Sequence, residues 1–236
     1  VVTGEAVDNN GAMNVTGCAS AQEFLAATER FRGETPAITS VIGSVAAGVA
    51  GGRQYESELW ISISDEAGVV VGCAMRTAPF NVTVSNMSLS ASSALASLLR
   101  EHDPDRPGIA GPHAVVESLI ELLGLTHRAR LHMEDVVRFL GDLRAPRYPV
   151  PGLARAATLQ DVELLEGWFT AFAAESGAAI DDPRTVAHRG ISEQRCWLWC
   201  VDESAVAVGG HAPVAVTPAG KVGRIGSIYT EPTRRG

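Results

Sequence analysis

Three prolines within six positions, Pro146, Pro149 and Pro151, constrain this chain more than any other feature. Each fixes φ and removes a backbone donor, so Ala145-Pro146-Arg147-Tyr148-Pro149-Val150-Pro151-Gly152 cannot be a helix interior and suits an extended connector. The 236 residues therefore divide into two parts. The expected organisation is a disordered or non-native leader at 1–12, a first domain at 13–145, a linker at 146–152 and a second domain at 153–236. Val1–Gly11 is polar and without periodicity, and Met13 is the expected natural start.

Composition removes several classes of function. With 46% apolar and 19% charged residues the chain is globular. No apolar run nears the roughly 18 residues of a membrane span, because Thr39, Ser40, Ser44 and several glycines interrupt the stretch from Ile38 to Gly52. A net charge of -8 with no basic face argues against nucleic acid and weakly favours a cationic substrate. Cys196 and Cys200 share a strand face about 13 Å apart at roughly 3.3 Å per residue, too far for a disulfide or a shared tetrahedral metal. Reduced thiols, a cytoplasmic location and no metal are expected. The histidines at 102, 113, 127, 132 and 188 show no metal spacing, and no Ser-His-Asp set is legible.

The first half alternates helix and strand signals. Ser20 and Glu23 form a capping-box pattern for a helix over 21–30, and a second helix is expected over 35–49. Strands are expected over 59–64, 69–77 and 80–85, with a hairpin turn at Asp65-Glu66-Ala67-Gly68. A helix over 90–100, a short strand at 108–111, a helix from Pro112 to Gly124 and an extended segment over 128–139 complete it.

The second half opens with a strand at 153–156. Thr158 then caps a helix with Val162, Leu165, Trp168, Phe169 and Phe172 on one face, ended by Gly177. A short helix over 183–191 precedes a strand at 196–201, a turn at 202–204, and strands over 205–216 and 222–230 joined by a turn at 217–220. A kink or bulge is expected at Gly209-Gly210.

The segment Ile228-Tyr229-Thr230-Glu231-Pro232-Thr233-Arg234-Arg235-Gly236, in that element order, resembles the GNAT superfamily of N-acetyltransferases. The resemblance covers about 153–236. In that family an apolar strand leaves through a Pro-containing turn into an Arg/Gln-x-x-Gly-x-Gly/Ala loop at a helix start. Such a helix start presents unsatisfied N–H groups and partial positive charge to a pyrophosphate, and a splayed strand offers backbone groups to pantetheine amides. The resemblance implies α/β (α+β) architecture: two GNAT-like mixed, mostly antiparallel sheets flanked by helices, the second incomplete. It implies acetyl-CoA as cosubstrate, held by Ile228, Tyr229, Thr230, Arg235 and Gly236, and a bacterial enzyme that acetylates a primary amine by direct attack in a ternary complex. The alternative is a non-catalytic CoA-binding or regulatory module on the same fold. The later loop glycines, and the Tyr by which the family commonly protonates the leaving thiolate, are absent from 1–236. The natural protein is therefore expected to continue, with glycines at the second and fourth positions after Gly236, and the chain by itself to bind acetyl-CoA poorly and be inactive.

The first half resembles a GNAT unit more faintly, with the same order of two helices, three strands and a helix. Phe80–Met87 is followed by Ser88-Leu89-Ser90 rather than a Gly-rich loop, which fits a degenerate copy or an unrelated α/β domain.

Two residues are candidates for the chemistry. Glu175, near the end of the first helix of the second domain, reads as an amine-holding carboxylate or as a solvated helix-end residue. Ser227 reads as a group near the acetyl; alternation puts it on one strand face with Tyr229, and Arg224 with Ile228 on the other. His211 reads as a cleft or a structural residue, and Trp197 and Trp199 as an acceptor pocket or core. Small amine and peptide amine remain open as acceptor, as does a homodimer.

Overall fold

The computed structural model describes residues 3–6, 12–134, 144–145, 147–178, 180, 182–217 and 220–235. The chain packs as two units, Val1–Glu134 with Ala215–Val222, and Asp135–Val214 with Gly223–Gly236. Both are mixed α/β, each with a mostly antiparallel sheet flanked by helices, as expected.

In the first unit, Thr3–Ala6 (β1) pairs antiparallel with Met13–Gly17 (β2), although the leader expected over 1–12 includes the first of them. The pattern was too short to read, with Val15 the one fully buried side chain of β2. The helix expected over 21–30 is two helices, Ala21–Ala27 (α1) and Glu29–Glu34 (α2). At the break the Thr28 hydroxyl donates to the Phe24 carbonyl at 2.7 Å, a side-chain bond that competes with regular helix. Ser20 accepts the Glu23 N–H at 3.1 Å, while the Glu23 carboxylate takes the Ala19 N–H, one residue earlier than in a capping box. The next helix, Ser40–Ala50 (α3), starts later than residue 35, since Thr39 donates to the Thr35 and Arg32 carbonyls and holds a turn there.

Glu58–Ser64 (β3) and Val70–Thr77 (β4) form a hairpin whose turn is set by Asp65 accepting the Val69 N–H at 2.9 Å and by Gly68 at φ 76°. Val82–Val84 (β5), Leu89–His102 (α4), Ile109–Ala110 (β6) and His113–Leu122 (α5) follow. Sheet order is β1-β2-β3-β4-β5-β6, with only β5 and β6 parallel. Period-2 alternation sorts the side chains into two cores. Ile61, Ile63 and Ala74 pack with Leu95, Leu99 and Leu119 on one face, and Trp60, Cys73 and Met75 with Phe24 and Ile42 on the other. Residues 128–134 carry no strand, and the rest of the segment expected to be extended lies outside the described residues.

In the second unit, Leu153–Ala156 (β7) leads through a 3₁₀ turn at Leu159–Asp161 into Val162–Ser176 (α6), which Gly177 ends in the left-handed conformation. Asp182 caps Pro183–Ser192 (α7) through the Arg184 and Thr185 N–H groups. Cys196–Val201 (β8) turns at Asp202-Glu203, φ 48° and 65°, into Ser204–His211 (β9). The long strands expected over 205–216 and 222–230 are interrupted. Pro213 and Gly223 flank a separate hairpin, Ala215–Thr217 (β10) with Gly220–Val222 (β11), which groups with the first unit; the closing strand is only Ile225–Thr230 (β12). The span expected as one domain, 153–236, is thus divided.

The second sheet has the order β12-β9-β8-β7, all antiparallel. Leu198, Val208 and Tyr229 face Leu165, Trp168 and Phe169 of α6. Gly152, at φ 113°, enters β7 where a Cβ would lie 2.4 Å from the Cys200 carbonyl oxygen. Gly152→Ala is therefore expected to destabilise this unit by about 2 kcal/mol or more, read as a lower denaturant midpoint at unchanged m-value.

Candidate functional site

Sixty residues separate Glu175 from Arg235, and the second unit folds them onto one another. The α6 spacing puts Phe172, Glu175 and Ser176 on one face of its last turn, at i, i+3 and i+4. The strand β12 crosses beside that turn and leaves through a 3₁₀ turn at Pro232–Arg234. Together they enclose an open cleft of about 370 Å³ lined by Phe172, Glu175, Ser176, Ile228, Tyr229, Thr230 and Arg235.

Tyr229 organises the cleft. Only 5% exposed, its ring packs 6.1 Å from Trp168, and its hydroxyl donates to Glu175 Oε1 at 3.3 Å. The Arg235 guanidinium lies 4.9 Å over the same ring and grips both Glu175 oxygens, at 2.7 and 3.1 Å. Its Nε donates to the Thr230 carbonyl at 2.8 Å. A carboxylate at a helix C-terminus faces the negative end of the dipole, which disfavours its charge. The bidentate Arg235 outweighs this: Arg235 first, then the Tyr229 hydroxyl, holds the Glu175 carboxyl below the usual carboxylate range, and Glu175 raises the Arg235 pKa in return.

Among the described residues β12 is hydrogen-bonded on one side only, to β9. Tyr229 lies opposite Val208 and the Glu231 N–H donates to the Val206 carbonyl. Alternation then turns the N–H and C=O of Thr230 toward the outer edge. The Arg235 bond to the Thr230 carbonyl reaches it from that edge. Ile228 keeps its side chain 60% exposed there.

Regular alternation along the strand does not hold. The register slips between Gly226 and Tyr229, with Ser227 at φ 54°, so two residues oppose one. Ile225 and Ile228 consequently share a face, and Arg224 lies before the strand, which corrects the face assignment made from period 2. The bulge expected at Gly209-Gly210 occurs at that level of the ladder, but on the partner strand. Ser227 is in the bulge and does not line the cleft. Gly236 lies outside the described residues.

The remaining candidates lie elsewhere. Trp197 and Trp199 alternate away from the α6 core; Trp197 stacks on His211 at 5.5 Å, and the Trp199 indole donates to the Pro151 carbonyl at 3.0 Å. His211 Nδ1 is 2.7 Å from the Ala212 carbonyl, which fixes the ring through a local backbone contact. The four cysteines are free, and burial pushes the Cys196 thiol up to about 11 and the Cys73 thiol to about 12. Among the described residues no group of three or more acidic, histidine or cysteine side chains forms a metal cage, and no helix is long and apolar enough to cross a membrane. Phe172 and Ser176 were not singled out from the sequence as site residues, although their spacing from Glu175 was visible.

No protein-family model matches the chain and no curated protein matches it. One solved structure that matches is the crystal structure of a predicted acetyltransferase with acetyl-CoA from Clostridium acetobutylicum, with 23% identity and a TM-score of 0.29. The match covers 36% of this chain and 62% of that one, less than two thirds of its length.

Proposed function

We propose that the second unit binds acetyl-CoA along the outer edge of β12 and passes the acetyl group to a primary amine by direct attack in a ternary complex. One observation carries this reading: Ile228 and Thr230, on the open edge of β12, line the same cleft as the Arg235 guanidinium. A thioester carrier with two amides and a diphosphate needs this combination, polar backbone along an apolar floor and a cation at one end. The GNAT-like order of elements and the Pro-containing exit support the same reading.

In the transfer, the bound ammonium first gives one proton to solvent or a base; the freed lone pair forms the C–N bond as the C–S bond breaks, the thiolate takes the electron pair, and the second nitrogen proton passes to the thiolate or solvent. Glu175 is assigned to hold the amine rather than to deprotonate it, since a carboxyl held below its usual range is a weak base. Ser227 is assigned to the bulge beside Ile228 and given no contact with the acetyl group. The acceptor is a small or peptide amine. A second reading, a CoA-binding module without chemistry, is favoured by the engagement of both Glu175 oxygens with Arg235.

CoA at tenfold excess over its Kd is expected to raise the melting temperature by about 3 °C or more, and Arg235→Gln to weaken CoA roughly tenfold in calorimetric titration. No thermal shift at millimolar CoA would overturn both readings. CoA binding without acetylation of any amine would leave the module.

A further inference from the structure

We propose that Glu175 and the diphosphate of CoA compete for Arg235, so that the cofactor uncovers the carboxylate that receives the amine. This rests on the cofactor reading above and assigns an order to it: thioester first, amine second.

The geometry sets two bidentate engagements against one another. Arg235 gives one N–H of each terminal nitrogen to Glu175, at 2.7 and 3.1 Å, and its Nε N–H to the Thr230 carbonyl; the two N–H groups left over point apart and form no fork. A bidentate grip on a diphosphate needs either this end-on fork or the side-on fork through Nε, and Nε is held by the Thr230 carbonyl. Glu175 is equally committed, with both oxygens on Arg235 and one of them also taking the Tyr229 hydroxyl. A cationic amine arriving at that carboxylate meets a neutralised pair and a guanidinium of its own sign. Moving Arg235 onto an anion leaves Glu175 with the Tyr229 hydroxyl alone and restores a negative charge to the cleft. Both side chains are about half exposed, 40% for Arg235 and 47% for Glu175, so the exchange needs side-chain rotation and no rearrangement of the sheet. Tyr229 is the fixed element: its buried ring supports the guanidinium and its hydroxyl keeps the carboxylate in place.

The exposure also bounds the size of the effect. Exposed ion pairs are weak, so removing the competitor should tighten anion binding by only a few-fold. By linkage, the factor by which CoA improves the site for a cation is the factor by which the cation tightens CoA.

The test uses the whole chain with CoA as probe. Glu175→Gln is expected to bind CoA about fivefold more tightly than wild type, with most of the gain lost at high salt. Carbon-13 NMR of the Glu175 carboxyl, assigned through that variant, should show titration below the usual carboxylate range without CoA and a rise toward it at saturation. A structural role for the pair predicts equal or weaker CoA binding in Glu175→Gln and a carboxyl that does not respond to CoA; either result refutes the exchange while wild-type CoA binding keeps the cofactor reading. If neither wild type nor Glu175→Gln binds CoA at millimolar concentration, the cofactor reading falls and the exchange with it.

Discussion

Tyr229→Ala is expected to destabilise the second unit by about 3–5 kcal/mol, while Tyr229→Phe changes stability by about 1 kcal/mol or less. The difference follows from what each removes. Alanine deletes a ring that is 5% exposed, packed on Trp168 and part of the core with Leu165, Leu198 and Val208. It leaves a cavity that α6 and the sheet cannot close without shifting the strand. Phenylalanine keeps the ring and removes only the hydroxyl bond to Glu175, whose carboxylate keeps Arg235. Urea unfolding followed by tryptophan emission checks this, since three of the four tryptophans, Trp168, Trp197 and Trp199, lie in this unit. Similar losses for the two variants would mean that the hydroxyl, and not the ring, holds β12 to α6.

Asp161→Ala is expected to cost about 2–3 kcal/mol and to flatten the acid limb of stability. Its carboxylate accepts the Thr158 N–H at 2.7 Å and the Thr158 hydroxyl at 2.9 Å, closing the entry to α6, and takes Arg155 on both oxygens at 2.7 and 2.8 Å. With a side chain only 10% exposed, it is among the most enclosed acids of the unit. Arg155, then the Thr158 groups, lowers its pKa from 3.8 to about 2. A depressed carboxyl stabilises the fold above its unfolded pKa, so the contribution is complete above about pH 5 and disappears as pH falls toward 2. A shift of this size is worth on the order of 2 kcal/mol. Between pH 5 and 2 the wild type should lose this increment and the Asp161→Ala chain should not. Parallel acid limbs for the two would refute the assignment.

The second unit was the more legible half, because its signals are local. Thr158 three residues before Asp161, apolar positions 162, 165, 168 and 169, Gly177 as the stop, and Asp202-Glu203 between two alternating runs each fix an element from neighbours alone. What failed needed longer range. The bulge at Ser227 is a mismatch between two strands and leaves no mark on either one read separately. Counting straight through it paired Ile228 with Arg224 and Ser227 with Tyr229; across the bulge Ile228 shares its face with Ile225 and stays on the face opposite Tyr229. The turn at 217–220 was legible, but the apolar residues around Pro213 and Gly223 continued the alternation, so the short strands of that hairpin were read as continuous with those on either side. In the first unit, Thr28 and Thr39 shortened the helices through bonds to carbonyls a turn earlier, a competition that helix propensity does not register.

The cleft was half legible. Ile228, Tyr229, Thr230 and Arg235 were picked out by the family resemblance of the exit, and Glu175 by its place at the end of a helix. That Glu175 and Arg235 bind one another depends on how α6 crosses β12, which no spacing encodes. Ser227 was read as a side chain facing the chemistry; its left-handed backbone at the bulge is what the structure offers instead.

Amide chemical shifts of the second unit during a CoA titration test the central claim most directly, that the outer edge of β12 receives the thioester carrier and Arg235 its diphosphate. The account predicts the largest changes at the Ile228 and Thr230 amides and at the Arg235 side chain, with β7 at the far edge of the sheet unmoved. Saturable changes confined to β7, or to the Trp197–His211 face, with Ile228, Thr230 and Arg235 still, would contradict it.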